Sequence, residues 1–137
     1  MRTEQKQRLE QLRHWRVRRK VRGTRERPRM SVRFTNENIY VQFIDDNAGT
    51  TLAAASTTSK SAPDRDKLAA NVASAKVIGK LAAEAALAKG IQSVVFDRSG
   101  ARYHWSRGKK GKDGKPVTVF GKLATLAGAA REAGLKF

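Results

Sequence analysis

Residues 29–45, RMSVRFTNENIYVQFID, give the clearest indication of the fold. Apolar and polar residues alternate over its first six positions and again from Ile39 onward, which is the pattern of two half-buried β-strands. The polar residues 36–38 between the two runs predict a turn. Residues 45–49, DDNAG, predict a second turn, after which residues 50–57 can return as a third strand. The sequence therefore predicts an antiparallel three-stranded meander.

An Ala-rich stretch, residues 64–89, follows the meander and predicts a helix. Pro63 stands near its start and Gly90 directly after it, which is the usual placement of these residues at helix ends. The side chains predicted to face the core are Leu68, Val72, Ala75, Ile78 and Leu81. The hydroxyl-rich residues 56–61 are expected to link the third strand to this helix and to cap it.

The remaining chain predicts one buried strand and one further helix. Residues 91–96 form a short apolar run, expected as a strand beside a strand of the meander. Residues 101–105 can begin another strand, residues 108–116 are rich in Gly and Lys as in a loop, and residues 117–120 favour β-structure. Residues 122–133 predict a final helix that stops before a glycine. The expected architecture is α+β, a βββαβα mixed sheet covered by two helices.

Positive charge dominates the composition and is concentrated in two segments. The 137 residues include 29 Lys and Arg against 12 Asp and Glu, a formal net charge of +17. Residues 1–33 hold 13 basic and 3 acidic side chains, and residues 98–122 hold 8 and 1, whereas the segment between them is nearly neutral. This charge exceeds what a small domain uses for solubility, so it points to a polyanionic partner such as nucleic acid.

Residues 1–28 are expected to form an extended basic N-terminal arm, and residues 29–137 a globular domain with an inserted basic loop at about 105–120. The arm contains good helix formers, but its apolar residues make no continuous helical stripe. We therefore expect it to be disordered or frayed until a partner orders it. Its arginines crowd near Gly23 and Pro28, and their planar donor forks suit the phosphates and bases of structured RNA.

The sequence predicts neither a membrane segment nor an export signal. No window approaches the roughly 18 apolar residues that a membrane span needs. The N-terminal charges are not followed by an apolar run. An Arg-rich organellar presequence stays open as an alternative, against which Glu4 and Glu10 argue.

Motifs for catalysis or metal binding are missing from the sequence. The absence of Cys excludes disulfides, zinc ribbons, iron–sulfur clusters and thiol nucleophiles, and the two histidines, His14 and His104, make no metal-binding pair. The glycines of residues 108–121 fit neither the phosphate-loop nor the dinucleotide-binding spacing. Asp97 is expected to cap a turn beside its neighbouring counter-charge Arg98. A nuclease-like use of Asp97 is the enzymatic alternative.

Several separate motifs resemble the bacterial large-subunit ribosomal protein 18 family. They are RRKVRGTRERPRMSV at 18–32, NIYVQFIDD at 38–46, TLA at 51–53, VVFDRSG at 94–100, YH at 103–104 and AAREAGLKF at 129–137. The resemblance implies a protein of cytoplasmic ribosomes that binds 5S rRNA and helps join it to 23S rRNA in the central protuberance. It implies large-subunit ribosomal protein 5 and other central-protuberance proteins as neighbours. It implies no catalysis and no cofactor.

The resemblance and the charge pattern together give the expected RNA-binding residues. In the arm and the first strand these are Arg16, Arg18, Arg19, Lys20, Arg22, Gly23, Thr24, Arg25, Arg27, Arg29 and Arg33. The others are Tyr40, Arg98, Tyr103, His104, Arg107, Lys109, Lys110 and Lys112. In this reading Gly23 lets the backbone approach a phosphate, and Pro28 stiffens the start of the first strand.

The sequence departs from the family pattern at two places. Arg33 and Phe34 stand in the opposite order to the family's aromatic-then-Arg pair, which leaves open which side chain faces RNA. Residues 105–120 are inserted where the family passes almost directly into the last helix, and we expect a hairpin-like finger that contacts rRNA or a neighbouring protein. The alternative function is a general nucleic-acid-binding architectural protein, although neither a dimer face nor a groove-reading element is evident.

Overall fold

The computed structural model describes residues 1–110 and 112–137. Its helices are α1 (Thr3–Lys20), α2 (Val72–Ala88) and α3 (Lys122–Glu132). Its strands are β1 (Arg29–Phe34), β2 (Ile39–Asp45), β3 (Thr50–Ser56), β4 (Val95–Asp97), β5 (Trp105–Lys110) and β6 (Pro116–Phe120). A single 3₁₀ turn, Arg65–Lys67, precedes α2. The α+β class, the mixed sheet and the order of elements after the arm are confirmed, with the hairpin β5–β6 added before the last helix.

A mixed four-stranded sheet in the order β3-β2-β1-β4 forms the centre of the protein. The first three strands are the predicted antiparallel meander, and β4 runs parallel to β1 with Met30 opposite Phe96. The predicted strand 91–96 is displaced, because the Val94 amide donates to the carbonyl of Lys136 near the C-terminus. Regular pairing with β1 therefore begins only at Val95, whose amide donates to the carbonyl of Pro28.

The helices cover one face of this sheet. Alternate residues of β1, β2 and β3 point toward α2, which packs against β2 and β3 and against α3. The large side chains with no exposed surface in this core include Met30, Val32, Ile39, Val41, Phe43, Ile78 and Leu126. The alanines of α2 that face the sheet and α3 let these elements approach closely. The opposite face of the sheet, named the open face below, has no helix over it among the described residues.

Helix α2 begins at Val72 rather than at residue 64, so the predicted start is wrong. The side chain of Asn71 accepts a hydrogen bond from the Ser74 amide at 2.8 Å and caps the helix. Asp64 has a positive φ of 49°, which a helix does not continue through. Leu68 therefore packs partly buried from outside the helix, while Val72 is 45% exposed instead of facing the core.

The hydroxyl-rich residues 56–61 close a turn and do not cap α2. The Thr57 hydroxyl donates to the side-chain oxygen of Asn38 at 2.8 Å and accepts from the Ile39 amide at 3.2 Å. These bonds fasten the end of β3 to the start of β2. At the other end of the chain, α3 matches its prediction, and Gly134 follows it with φ of 114°.

The N-terminal arm is helical in this structure, whereas the sequence predicts an arm that is disordered or frayed until a partner orders it. Helix α1 runs for 18 residues, and none of them is buried. Glu4 lies in its first turn and Arg18, Arg19 and Lys20 in its last, which is the favourable arrangement for the helix dipole. Within residues 1–110 and 112–137, the helices are all too short or too polar to cross a bilayer.

Gly79 lies at a close contact between α2 and α3. A Cβ placed there would lie 2.5 Å from the Leu126 carbonyl oxygen and 2.9 Å from the Ala129 Cβ. Gly79→Ala is expected to lower the free energy of unfolding by about 1–3 kcal/mol, the usual effect of overpacking, although alanine favours helices. Gly128→Ala in α3 is the matched control, because the added methyl would meet no atom within 4 Å.

Urea unfolding of both variants measures the difference. We expect the transition midpoint to fall for Gly79→Ala and to stay or rise for Gly128→Ala, whose free energy of unfolding is expected to increase by at most about 1 kcal/mol. Equal midpoints for the two variants would contradict the close helix contact at Gly79.

Candidate nucleic-acid interface

One carboxylate, Asp46 in the turn after β2, holds the N-terminal arm to the sheet. Its Oδ2 accepts a hydrogen bond from the Gly23 amide at 2.8 Å, and its Oδ1 accepts one from the Arg18 guanidinium at 3.1 Å. The Asp46 amide in turn donates to the Gly23 carbonyl at 3.1 Å. The end of α1 and the segment after it are therefore fastened to the sheet by side-chain and backbone bonds.

Arg29 completes this network from inside the protein. It is only 5% exposed, and its Nε donates to Asp46 at 2.9 Å while its Nη1 donates to Asp97 at 2.8 Å. The planar guanidinium suits such a bridge between two carboxylates. Arg29 was predicted to contact RNA, but the structure places its charge against Asp46 and Asp97, where it joins the start of β1 to the end of β4.

Asp97 caps the turn after β4, as predicted, since its Oδ1 accepts from the Ser99 amide at 2.9 Å. Its cationic partner is Arg29 rather than the neighbouring Arg98. Both carboxylate oxygens are thus engaged in structural bonds. Arg98 is exposed. The turn that contains it lies beside α1, as shown by Gly100, where a Cβ would be 3.1 Å from the His14 Nε2.

The ionisation of this network follows from its contacts. Burial by itself would raise the pKa of Asp46, but the hydrogen bonds from Arg29 and the Gly23 amide, with the charges of Arg29 and Arg18, hold that pKa below its ordinary value. Burial likewise opposes the charge of Arg29, whereas its bonds to Asp46 and Asp97 outweigh that effect and raise its pKa. Asp46 and Arg29 are therefore both ionised at neutral pH.

The lowered pKa of Asp46 makes stability depend on pH in acid. Its ionised form stabilises the folded state at all pH values above the unfolded pKa of about 3.9, and this contribution is lost as the pH falls through the lower folded pKa. We expect the Asp46→Asn variant to be less stable than the unchanged protein at pH 6 and the two to converge toward pH 2. Urea unfolding at constant ionic strength tests this, and a gap that persists at low pH would contradict it.

Gly23 is buried, and its surroundings leave no room for a side chain. A Cβ at this position would collide with the Arg29 amide nitrogen and the Ile44 carbonyl oxygen, and would lie 2.8 Å from the Arg29 Cβ. The close approach is thus between two parts of the same chain. The next residues form a turn in which the Thr24 amide donates to the Arg27 carbonyl at 2.9 Å and the Thr24 hydroxyl accepts from the Arg27 amide at 3.1 Å.

The remaining cations of the arm are exposed. Arg16, Arg19, Lys20, Arg22, Arg25 and Arg27 all have exposed side chains, and Arg18 keeps 47% of its side-chain surface although it is bound to Asp46. Arg27 also donates to the Val94 carbonyl at 3.4 Å, beside the buried Pro28 at the start of β1. This set of cations forms a surface around the point at which the arm meets the sheet.

The open face of the sheet carries a second group of predicted residues. Arg33 is exposed there and lies directly opposite the half-buried Tyr40 on the neighbouring strand. Phe34 points to the other side, where it packs against the core and lies 6.0 Å from the Lys122 Nζ, measured to its ring centre. The order Arg33-Phe34 therefore places the arginine on the open face.

Strands β5 and β6 pair as the expected hairpin and form a separate two-stranded sheet. Of the segment 108–116, which the sequence predicts as a loop, residues 108–110 and 116 lie in these strands, and residues 101–104 are not a strand. Arg107, Lys109, Lys110 and Lys112 are exposed. Tyr103 and His104, before the hairpin, are exposed as well, and the Arg131 guanidinium contacts the Tyr103 hydroxyl at 3.5 Å.

Asp46 is the functional residue that sequence reasoning missed. The sequence predicts only a turn for Asp45 and Asp46, a role that Asp45 does fill by accepting from the Asn47 amide at 3.0 Å. The available signal was an acidic pair within the near-neutral middle of a chain whose arm is strongly basic. In the described parts of the chain, no group of three His, Asp or Glu side chains could hold a metal ion.

Comparison with known proteins identifies the family. The family model described as "Ribosomal L18 of archaea, bacteria, mitoch. and chloroplast" matches residues 3–108. The large ribosomal subunit protein uL18 of Petrotoga mobilis and that of Lactococcus lactis subsp. cremoris are each 47% identical over 132 residues, covering 96% of this chain and 95% of theirs. The uL18 of Lactobacillus delbrueckii subsp. bulgaricus is 49% identical with the same coverage. The chain belongs to the ribosomal L18 family, structural and non-enzymatic proteins of the large ribosomal subunit.

Proposed function

We propose that this protein binds 5S rRNA and helps attach it to 23S rRNA in the central protuberance, beside large-subunit ribosomal protein 5 and other proteins of that region. The observation that carries the proposal is the exposed cationic helix α1, fastened at its C-terminal end by Asp46. Membership of the L18 family makes ribosomal RNA and ribosomal proteins its partners.

Helix α1 has the chemistry of an RNA-binding element rather than of a folding element. It contains seven Lys and Arg against two Glu and buries none of its residues, so it adds little to the core. At 1.5 Å per residue its 18 residues span about 27 Å, long enough to follow several phosphates of a folded RNA. Because Asp46 fixes the C-terminal end of α1, the helix is preorganised before RNA binds, which reduces the entropy lost on binding.

The proposed contacts combine three groups of residues, all of them exposed except the half-buried Tyr40. The arm contributes Arg16, Arg18, Arg19, Lys20, Arg22, Thr24, Arg25 and Arg27. The open face and the adjoining turn contribute Arg33, Tyr40 and Arg98, and the region of the hairpin contributes Tyr103, His104, Arg107, Lys109, Lys110 and Lys112. Gly23 and Arg29 support the surface from within, since Gly23 packs against β1 and Arg29 binds two carboxylates.

Binding of 5S rRNA by a charge-neutralised variant tests the proposal. The triple variant Arg16→Gln, Arg19→Gln, Arg22→Gln removes three exposed arm cations that take no part in the Asp46 bonds. We expect its affinity for 5S rRNA to fall at least tenfold and the salt dependence of binding to weaken by about 2–3 units of logarithmic slope. Filter binding at several salt concentrations measures both quantities.

The matched control is the triple variant Lys76→Gln, Lys80→Gln, Lys89→Gln, which removes the same charge from exposed positions in and after α2. It is expected to keep most of the affinity. An equal loss in the two triple variants would contradict a specific role for the arm. Equal affinity of the unchanged protein for 5S rRNA and duplex DNA at matched salt would instead favour a general architectural protein.

Particle assembly tests the attachment of 5S rRNA to 23S rRNA. In cells whose only copy carries the three arm substitutions, we expect large subunits to sediment with less 5S rRNA than subunits with the α2 control variant. Full 5S rRNA content in both would contradict the proposed attachment.

A further inference from the structure

The β5–β6 hairpin exposes large apolar side chains that its fold does not use. Trp105 is 57% exposed and Phe120 is 51% exposed, and they lie directly opposite each other in the register of the two strands. The hairpin is a sheet of its own, joined at its base by the bond from the Gly121 amide to the His104 carbonyl at 2.8 Å. A two-stranded hairpin of this kind is marginally stable alone, so a partner on its surface would stabilise it.

The two faces of the hairpin differ in chemistry. Directly opposed residues and alternate residues share a face, so Trp105, Arg107 and Phe120 lie together on one side. Val117 and Val119, about half exposed, lie on the other side. The first side, named the aromatic face, therefore combines two exposed rings with a guanidinium, whereas the second is aliphatic.

The far end of the hairpin is cationic. Lys109, Lys110, Lys112 and Lys115 surround a single carboxylate, Asp113, and all of these residues are exposed. Such a tip attracts phosphates, while the aromatic face offers flat surfaces to the bases joined to them. A base pair within a helix already stacks on its neighbours, so the rings can stack only on bases that are unpaired or at the end of a helix.

We propose that the aromatic face, Trp105 and Phe120 beside Arg107, is a stacking platform for unpaired nucleobases of ribosomal RNA. The inference rests on the proposed RNA-binding function and adds a contact separate from the arm. The lysines of the tip hold the backbone of the same RNA segment, and Arg107 lies where its planar guanidinium can stack on a base or bind a phosphate.

Fluorescence of Trp105 reports the contact directly. The chain has two tryptophans, so the full-length Trp15→Phe protein fluoresces from Trp105 alone. Three probes are compared: a single-stranded RNA, the same strand in a duplex, and heparin. The single strand has about 12 nucleotides, which is within the range of known single-strand sites. We expect the single strand to quench Trp105 strongly, whereas the duplex and heparin bind with little quenching.

Substitutions on the two faces separate stacking from other causes. Trp105→Leu and Phe120→Leu are each expected to lower single-strand affinity about 5- to 100-fold, the range for one lost stack, with an unchanged salt slope. Trp105→Phe keeps a ring and is expected to restore most of the affinity. The double variant Val117→Thr, Val119→Thr alters only the aliphatic face, keeps β-branched residues in the strand and is expected to bind RNA normally.

Three results would overturn the platform. The first is quenching of Trp105 fluorescence by the duplex that equals quenching by the single strand. The second is a loss of RNA affinity in the double valine variant as large as the loss in Trp105→Leu. The third is unchanged RNA affinity in Trp105→Leu together with loss of a protein neighbour from assembled subunits. The last result would show a protein-docking face instead. The arm variant Arg16→Gln, Arg19→Gln, Arg22→Gln is expected to keep the Trp105 quenching, so failure of the platform and failure of 5S rRNA binding are distinguishable.

Discussion

Arg29→Met is expected to lower the free energy of unfolding by about 3–5 kcal/mol, the effect of removing one partner from a buried ion pair. The guanidinium bonds to Asp46 and Asp97, and the exposed fractions of those two side chains are 13% and 8%. Methionine has similar length but no charge, so Asp97 would lose its cationic partner and Asp46 would keep only Arg18 as a cation, in a region with little access to water. Arg29→Lys is expected to recover only part of the loss, because one ammonium group cannot span two carboxylates as a guanidinium does.

Arg33→Met provides the control for Arg29→Met. Arg33 lies on the same strand and the same side of the sheet, but it is exposed and is predicted to change stability by less than about 0.5 kcal/mol. Urea unfolding of the three variants and the unchanged protein gives the comparison. Similar small losses for Arg29→Met and Arg33→Met would show that the buried bridge contributes little.

RNA binding by the same variants tests the placement of the two arginines. Under conditions in which Arg29→Met remains folded, we expect its salt slope for RNA binding to match that of the unchanged protein. Arg33→Met, by contrast, is expected to lose part of that slope because the exposed guanidinium is a proposed phosphate contact. If instead Arg29→Met lost part of the salt slope and Arg33→Met kept it, Arg29 would be an RNA-contacting residue.

Gly23→Ala is expected to lower the free energy of unfolding by about 3 kcal/mol, at the upper end of the usual overpacking effect. The added methyl group would collide with backbone atoms of Arg29 and Ile44, which belong to paired strands and cannot move independently. The alternative for the chain is to release the segment around position 23, which would break its amide bond to Asp46. Either response weakens the attachment of the arm.

Hydrogen exchange distinguishes these two responses to Gly23→Ala. If the strands shift, amides throughout β1 and β2 exchange faster. If the arm is released, the amide at position 23 loses protection while the sheet keeps it. Thr24→Ala alters the neighbouring exposed position and is expected to cost less than about 1 kcal/mol, the value of its single turn bond. A Gly23→Ala protein as stable as Thr24→Ala would contradict the tight packing.

The fold was largely predictable because its main signals are local. The alternation in residues 29–45 specifies which side chains of the meander enter the core, and the structure buries Met30, Val32, Val41 and Phe43 accordingly. The errors lie where tertiary contacts override local pattern. The bridge between Ser93 and Lys136 displaces the start of β4, and the cap at Asn71, rather than Pro63, sets the start of α2.

The candidate site was predictable in its charge but not in its internal bonds. The concentration of cations in residues 1–33 and 98–122 indicates a polyanionic partner without any knowledge of the fold. The sequence does not show which arginine lies opposite a carboxylate, because Arg29 and Asp97 are brought together only by the parallel pairing of β1 with β4. The need for glycine at position 23 is not evident from the sequence for the same reason, since the atoms that exclude a side chain there belong to β1 and β2, which follow it in the chain.

The pairing of β1 with β4 also has a consequence for the growing chain during translation. The arm leaves the ribosomal exit tunnel first, but Asp97, which binds Arg29 in the folded protein, is synthesised 68 residues after Arg29. Until then the central strand of the sheet has a neighbour on one side only, and its arginine is bound by Asp46 alone. A nascent chain that stalls before Asp97 therefore presents its basic N-terminal arm to cellular RNA while its own sheet is still unfinished.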